Sequence, residues 1–255
     1  MAYRFLRLVD GGAVARLTLT RPPLNVLTTE MMEELGEALA WAAAQPLLKV
    51  LLLAAEGKVF SAGVDIEDQR GDRTKPMLEA FHGLFRLLRA LDCVTVAALQ
   101  GPALGGGAEL ATFCDLVVAS EAATVGQPEI KVGVFPPVAM AHYPRRVGPH
   151  RALQLVLSGR VIEAAEALRI GLVDRVVPPD RLVETVEAEI ERFTSHSAAV
   201  LRLSKRALRE SLDLPFDEAL ASLEAVYQYE LMVTADAQEG LRAFSEKRKP
   251  VWRDR

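Results

Sequence analysis

The first half of the chain alternates between short apolar runs and segments whose apolar residues recur at helical spacing. Residues 13–20 (AVARLTLT) alternate apolar and polar side chains, which predicts a strand paired with residues 3–9. Pro22-Pro23 then ends this ladder, because proline has no N–H to donate. Continuous apolar runs predict strands, buried on both faces in the longer cases, at residues 50–55, 94–99 and 116–119. Apolar residues at helical spacing predict helices over residues 29–44, capped by Thr28 or Thr29, and over residues 76–91.

From about Pro149 the pattern becomes helical, without a flexible linker at the change. Six helices are predicted there, at residues 151–157, 163–170, 181–193, 198–212, 216–233 and 235–247. Only residues 172–177 are strand-like in this part of the chain. The boundary is thus a change of class near Pro149, from mixed strands and helices to helices, and the chain ends in a helical region over residues 186–255. The helical region needs a partner surface for its apolar faces, either the first region or another subunit.

Composition and charge narrow the classes of partner. The chain has 255 residues, of which 50% are hydrophobic, and its net charge is −4. This balance argues against a surface built for nucleic acid or for anionic membranes. No apolar run approaches the ~18–20 residues that a membrane span needs, and the first residues lack a signal-peptide core, so we expect a soluble, cytoplasmic protein. The spacing of Cys93 and Cys114 predicts neither a disulfide framework nor a zinc site.

Two glycine-containing loops follow predicted buried strands. They are residues 60–65 (FSAGVD) and residues 101–110 (GPALGGGAEL). Three consecutive glycines before a helix-compatible segment let a ligand approach the backbone, and the free N–H groups at a helix start favour an oxyanion. A tight turn with close packing is the alternative for the triple glycine. The spacing matches neither a dinucleotide fingerprint nor a phosphate loop, since Leu110 and Gly107 stand where Gly and Lys are required.

Two glutamates are candidates for acid–base chemistry. Glu109 lies three residues beyond Gly106, so on a helix it lies on nearly the same side as the proposed oxyanion donors. Glu129 follows 20 positions later in the segment GQPEI. Taken separately, each has a structural alternative: Glu109 as a carboxylate that complements the helix dipole, and Glu129 as a solvated loop residue.

Together these segments resemble the crotonase (enoyl-CoA hydratase/isomerase) superfamily. The resemblance depends on four stretches in the same order, with a C-terminal segment similar to the family's last helix: RPPLN at 21–25, SAGVD at 61–65, LGGGAEL at 104–110, GQPE at 126–129 and EGLRAFSEKRKP at 239–250. It covers essentially the whole chain. It implies a spiral of ββα units with the CoA-thioester site over residues 1–185, then a helical trimerisation region over residues 186–255. Homotrimers, or hexamers formed as dimers of trimers, are implied as well.

The resemblance also implies roles for particular residues. The backbone N–H groups of Ala62 and Gly106 are expected to form an oxyanion hole for the thioester carbonyl. Glu109 and Glu129 are expected to be catalytic. Contacts with the acyl-CoA are expected from Leu24, Ala62, Gly63, Val64, Asp65, Gly106 and Pro137, with Phe244 and Lys247 reaching the nucleotide end from a neighbouring subunit.

The filled glutamate pair favours a hydratase over other branches of the superfamily. One carboxylate can orient or deprotonate water while the other, protonated, delivers a proton to the α-carbon. Two neighbouring carboxyls push their pKa values apart, which suits different roles. The reaction needs no metal and no redox cofactor, since coenzyme A belongs to the substrate. An enoyl-CoA isomerase of the same fold is the alternative enzyme, and a CoA-binding or RNA-associated scaffold is the non-enzymatic alternative. A serine hydrolase is disfavoured, because the G-x-S-x-G elbow is missing.

One departure from the family pattern narrows the choice of substrate. Pro137 stands where the family usually has a glycine whose N–H helps to hold the catalytic water, and proline has no N–H. The water then depends on Glu109 and Glu129, or on another donor. The segment Phe135-Pro136-Pro137, together with residues 81–86 (FHGLFR), resembles the branch that hydrates cyclic dienoyl-CoA thioesters such as cyclohexa-1,5-diene-1-carbonyl-CoA.

Overall fold

The fold is organised around the apolar strands that the sequence indicates. In the computed structural model, which describes residues 3–254, the strands are β1 (Leu6–Asp10), β2 (Val14–Leu19), β3 (Val50–Ala55), β4 (Val94–Leu99), β5 (Ala103–Leu104), β6 (Leu116–Ser120), β7 (Thr124–Gly126), β8 (Val161–Glu163) and β9 (Arg175–Val177). Six of them form one sheet in the order β1-β2-β3-β4-β6-β9, and β5-β7-β8 form a second sheet. In the large sheet only β1 and β2 are antiparallel. Strands β3 and β4 have the predicted bounds.

The helices cover both faces of the large sheet and continue to the C-terminal end. They are α1 (Thr29–Ala43), α2 (Thr74–Ala90), α3 (Gly106–Thr112), α4 (Pro137–Val147), α5 (Pro149–Ser158), α6 (Ala164–Ile170), α7 (Leu182–Thr194), α8 (Ala198–Ser211), α9 (Phe216–Val226) and α10 (Ala235–Ser245). The Thr28 side chain caps α1 by accepting from the Met31 N–H, as one of the two predicted caps. The α/β architecture with a helical C-terminal region is confirmed.

The strands β3 and β4 are buried on both faces because each face packs against helices. On one side the main core includes residues of α1 and α2, such as Leu35 and Leu84. On the other side Val50 and Val96 pack with Val186 and Ile190 of α7. Helix α7 therefore belongs to the packing of the sheet while it spans the proposed boundary at residues 185 and 186. The division of the chain at that boundary stays a prediction.

The structure differs from the predicted elements around the prolines. Helix α4 was not predicted, because Pro136, Pro137 and Pro144 are typical helix breakers. Pro137 stands at the start of α4, where a missing N–H costs nothing. After Pro149 the sequence predicted one strand, but β8 is a second, and it takes the first residue of the helix predicted over 163–170. The helix predicted over 216–233 ends as α9 at Val226 and continues as a π-helical segment, Tyr227–Leu231.

The topology brings the two glycine-containing loops to one edge of the large sheet. Strands β3 and β4 are parallel neighbours, so the loops that follow them leave from the same edge. A bridge between Ser61 and Ala103 joins the two loops directly. Within residues 3–254 no helix is long and apolar enough to cross a membrane.

Candidate active site

The loop after β3 is held in a fixed conformation by buried hydrogen bonds. The Ser61 hydroxyl donates to the Asn25 carbonyl at 2.8 Å and accepts from the Gly63 N–H at 3.1 Å. The Asn25 side chain in turn donates to the carbonyls of Glu56 and Val59. Gly63 has φ +100°, and a Cβ there would lie 2.9 Å from the Leu104 carbonyl oxygen, so glycine is required at this position. The loop is thus preorganised against the second glycine-containing loop.

The backbone donor of this loop belongs to a different residue from the one that the sequence suggested. The Ala62 N–H donates to the Leu24 carbonyl at 2.9 Å, so the prediction that Ala62 supplies an oxyanion donor is wrong. The segment pairs with residues 24–27, and the N–H groups of Gly63 and Asp65 are engaged too. In the described part of the chain, no acceptor is hydrogen-bonded to the Val64 N–H. Val64 therefore offers the unpartnered donor.

The second donor is Gly106, at the first position of α3. An N–H in the first turn of a helix has no intrahelical partner. A Cβ on Gly106 would lie 2.8 Å from Val64 Cγ2 and 2.9 Å from Phe81 Cζ, so the Val64 side chain and the Phe81 ring lie against the Gly106 backbone. The N–H groups of Val64 and Gly106 thus come from adjacent backbone segments.

Glu109 is buried in the same helix, with 2% of its surface exposed. Its Oε1 atom accepts the Ala139 N–H at 2.6 Å. Burial raises the pKa of Glu109 to about 8, while the Ala139 and Val138 N–H groups oppose the rise and the charge of Glu129 adds to it. A carboxyl with this pKa exchanges a proton near neutral pH.

Glu129 lies in a 3₁₀ turn, Pro128–Val132, on the other side of the glycine loop. A Cβ on Gly105, whose φ is +52°, would lie 2.7 Å from Glu129 Oε1, so only glycine leaves room for this carboxyl. Burial raises the pKa of Glu129 to about 7, opposed by its own backbone N–H. The two predicted glutamates therefore meet beside the start of α3, each with a pKa near neutrality.

Pro137 has no backbone N–H with which to hold the catalytic water, and its neighbours at the start of α4 do not take over that role. Pro137 opens α4, and the N–H groups of the two following residues are directed at Glu109 instead of at solvent. The Ala139 contact is the one with hydrogen-bond geometry. The start of α4 thus orients the Glu109 carboxyl.

The remaining predicted contact residues lie on the surface of this single chain. Leu24 is half-exposed beside the loop, and the Asp65 carboxylate caps the next turn by accepting from the Glu67 N–H at 2.9 Å. Phe244, which is 87% exposed, and Lys247 lie at the end of α10. Their contact with a nucleotide from a neighbouring subunit stays a prediction. In residues 3–254 no group of three or more His, Cys, Asp or Glu side chains is arranged to hold a metal ion.

Sequence reasoning missed three residues of the site, apart from the role of the Val64 N–H. Phe81 lies against the Gly106 backbone, whereas the sequence singled it out only as the first residue of the segment 81–86, without a place in the site. Gln127 and Tyr143 are fully buried behind Glu129 and contact each other at 2.7 Å. They lie 16 positions apart, and Tyr143 belongs to the helix that was not predicted.

Comparison with known proteins extends these observations to the whole chain. Residues 10–255 match the family model described as enoyl-CoA hydratase/isomerase. A probable enoyl-CoA hydratase of Rhizobium meliloti is 40% identical over the full length of both chains. A cyclohexa-1,5-dienecarbonyl-CoA hydratase of Thauera aromatica is 39% identical over 96% of this chain and 94% of its own. A crystal structure of enoyl-CoA hydratase from Mycobacterium smegmatis superposes with a TM-score of 0.93 at 29% identity, covering 98% of this chain and 99% of that one.

Proposed function

The chain belongs to the enoyl-CoA hydratase/isomerase family, and we propose that it is a hydro-lyase that adds water across a C=C bond conjugated to a coenzyme A thioester. The observation that carries the proposal is the pair of carboxyls, Glu109 and Glu129, with pKa values of about 8 and 7, next to two unpartnered backbone N–H groups. Around neutral pH such a pair holds one proton in total. One carboxyl can then accept a proton while the other donates one.

In the proposed mechanism the Val64 and Gly106 N–H groups bind the thioester oxygen. Water attacks the β-carbon, the C=C electron pair moves towards the carbonyl, and negative charge develops on that oxygen. A preorganised donor stabilises such charge by roughly 2.7–4 kcal/mol. The carboxyl pair takes one proton from the water and delivers one to the α-carbon, so that the elements of water are added and the enzyme is regenerated. The pair contributes a factor of roughly 10²–10⁴ in rate.

For the acyl group we propose a cyclic diene, cyclohexa-1,5-diene-1-carbonyl-CoA. The name of the Thauera aromatica relative supports this substrate. A second support is the Phe81 ring, whose edge lies beside Gly106 and which packs edge-to-face on Phe85 with centroids 4.9 Å apart. Aromatic rings offer a planar substrate favourable stacked or edge-to-face contacts. The turn at Phe135-Pro136-Pro137 is the proposed specificity element.

The experiment follows the loss of conjugated thioester absorbance with crotonyl-CoA and with the cyclic dienoyl-CoA side by side. We expect turnover of the cyclic diene to exceed that of crotonyl-CoA. Faster turnover of crotonyl-CoA would contradict the cyclic substrate and leave a straight-chain hydratase. If both substrates are inert and a 3-enoyl-CoA is isomerised instead, the hydratase proposal fails. Glu129→Gln is the control that removes acid–base chemistry without removing the side-chain volume.

The proposed reaction needs no metal ion and no redox cofactor. We therefore expect protein dialysed against EDTA to retain its kcat and KM on whichever thioester is turned over. A loss of activity that added Mg²⁺ or Zn²⁺ restores would contradict this expectation. The measurement is the same absorbance assay before and after dialysis.

A further inference from the structure

Behind Glu129 lies a chain of buried hydrogen-bonding groups that acid–base chemistry by the two glutamates alone does not explain. The Gln127 carboxamide, which has no exposed surface, stands between the Glu129 carboxyl and the Tyr143 hydroxyl. Turned one way, its nitrogen donates to Glu129 Oε1 and Oε2 at 3.1 and 3.2 Å, and its oxygen accepts from the Tyr143 hydroxyl at 2.7 Å. This orientation suits an ionised Glu129, since a carboxylate only accepts hydrogen bonds.

The same atoms also suit a protonated Glu129 when the amide is reversed. The Gln127 nitrogen then donates to the Tyr143 hydroxyl oxygen at 2.7 Å, and the amide oxygen faces Glu129, which has a proton to donate. The Thr112 hydroxyl is a neighbour of Tyr143, so the Tyr143 O–H can turn towards it when the amide nitrogen donates to the Tyr143 oxygen. The Thr112 hydroxyl donates to the Ala108 carbonyl at 2.7 Å, so its oxygen is free to accept. The amide therefore faces suitable partners in either orientation, provided that Glu129 carries its proton in the second.

We propose that Gln127 and Tyr143 form a reversible hydrogen-bond relay that turns with the protonation of Glu129, and that Tyr143 is its positioning residue. The inference rests on the proposed function, in which the glutamate pair gives up and regains protons in each turnover. A buried polar group without a partner costs free energy, so a carboxyl that changes charge needs neighbours that serve both forms. The relay supplies them without moving the backbone.

The other groups around Glu129 do not serve this purpose. Glu109, from α3, is the neighbouring titratable carboxyl, and it accepts a hydrogen bond from α4. Lys131, in the same turn as Glu129, extends its methylene chain along Gly159. Gly105 contributes only backbone against the carboxyl. Tyr143 and Gln127 are thus the groups placed to respond to the Glu129 proton.

The first test measures Glu129 itself, independently of any activity. The protonated carboxyl is titrated by infrared difference spectroscopy on protein labelled with ¹³C-glutamate, and Glu129→Gln identifies its band. In Tyr143→Phe both forms of Glu129 lose the contact between Gln127 and Tyr143. We expect the titration of Glu129 to move to higher pH by about one unit, because a chain of hydrogen bonds that ends on a charged carboxylate is polarised more strongly, so the ionised form loses more. In Thr112→Val we expect a smaller move to lower pH, because the reversed relay loses its last acceptor.

Opposite shifts from two isosteric changes distinguish the relay from general loosening of the packing. Tyr229→Phe, at a tyrosine that is 74% exposed, is the matched control and should titrate as the unaltered protein does. In Gln127→Met the Tyr143→Phe change should add no further shift, since the amide that connects the two groups is gone. An unchanged Glu129 titration in Tyr143→Phe, or the same shift with and without Gln127, would overturn the relay. Thermal unfolding of each variant identifies those that fail to fold.

The second test separates the relay from the proposed function. In the pH profile of kcat/KM, the acidic limb should move to higher pH in Tyr143→Phe, by the same shift as in the infrared titration. A uniform loss of rate at every pH, with the limbs unmoved, would contradict the relay. If the unaltered protein hydrates no enoyl-CoA while the infrared shifts appear as expected, the proposed function fails and the relay stands.

Discussion

At the scale of single residues, the buried Glu109 affects both the catalytic rate and the free energy of unfolding. We expect Glu109→Gln to lower kcat by roughly 10²–10⁴, because the amide keeps the Ala139 hydrogen bond but cannot exchange a proton near neutral pH. The hydration assay measures this loss. Retention of near-native turnover would remove Glu109 from the mechanism. The Glu129→Gln variant is the parallel measurement for the other carboxyl.

Glu109→Gln, which should lower kcat, should raise the free energy of unfolding at alkaline pH. The pKa of Glu109 rises from 4.5 to about 8 on burial, so between these values the folded state binds more protons than the unfolded state. The contribution of Glu109 to stability is therefore complete below pH 4.5 and is lost as pH rises through 8. Since each pKa unit corresponds to about 1.4 kcal/mol, we expect Glu109→Gln to exceed the unaltered protein in unfolding free energy by a few kcal/mol at pH 8.5. Denaturant titrations at pH 5 and pH 8.5 measure the difference, and equal gains at both would contradict it.

Gly106 tests the backbone donors separately from the carboxyls. A methyl group there would lie 2.8 Å from Val64 Cγ2 and 2.9 Å from Phe81 Cζ, so it must push the two donor segments apart. We expect Gly106→Ala to reduce kcat by about 10²-fold or more, as for the loss of one oxyanion donor. Gly83→Ala is the control, because a Cβ there meets nothing within 4 Å in the middle of α2. That variant should be active and more stable by about 0.5–1 kcal/mol; equal activity of both variants would exclude the assigned donors.

At the scale of elements, the last residues of the chain fasten the C-terminal helices to the sheet. We call residues 248–254 the C-terminal strap. Asp236, which is fully buried in α10, accepts the N–H groups of Arg253 and Asp254 at 2.7 and 2.8 Å. The Asp254 carboxylate in turn binds Lys49, beside the start of β3, at 3.0 Å. The strap therefore joins α10 to the large sheet.

Asp236→Asn should release this strap. The amide nitrogen cannot accept a hydrogen bond, so one part-buried backbone N–H loses its protein partner, at a cost towards the lower end of about 1–3 kcal/mol. Trp252, whose indole N–H donates to the Ser195 carbonyl at 2.8 Å, reports the change through its fluorescence in a Trp41→Phe background. We expect a red-shifted emission of Trp252 and a lower Tm. An unshifted spectrum with an unchanged Tm would show that the strap does not depend on Asp236.

At the scale of the whole molecule, the C-terminal helices leave large apolar side chains uncovered. The exposed ones include Leu208, Leu212, Phe216, Tyr227, Tyr229, Val233 and Phe244. Exposed apolar groups of this size favour association. The predicted homotrimer or hexamer would cover them, and it would bring Phe244 and Lys247 to a neighbouring subunit.

We expect light scattering coupled to size exclusion to give a mass of three or six chains. The double substitution Phe216→Glu and Val233→Glu should lower that mass, because two charges on this face oppose its burial. Val9→Glu, at a half-exposed residue of β1, is the control and should assemble as the unaltered protein does. A monomeric unaltered protein, or a double variant that assembles normally, would contradict the predicted interface.

Elements whose hydrophobic pattern admits one interpretation could be predicted from the amino-acid sequence. Strands β3 and β4 have their predicted bounds because a continuous apolar run flanked by turns must be buried on both faces. The positions of Glu109 and Glu129 followed from local motifs and a family resemblance. Helix α4 did not follow, because prolines at its start and inside it have the same local signature as a loop.

The available backbone donor and the surroundings of Glu129 depend on packing between segments that are distant in sequence. The N–H of Ala62 is engaged and that of Val64 is not because the loop pairs with residues 24–27, which are distant in sequence. Gln127 and Tyr143 meet because α4 packs behind the glutamates, and burial there raises both carboxyl pKa values. Hydrogen bonding and desolvation depend on neighbours in space, and the sequence pattern records only neighbours along the chain.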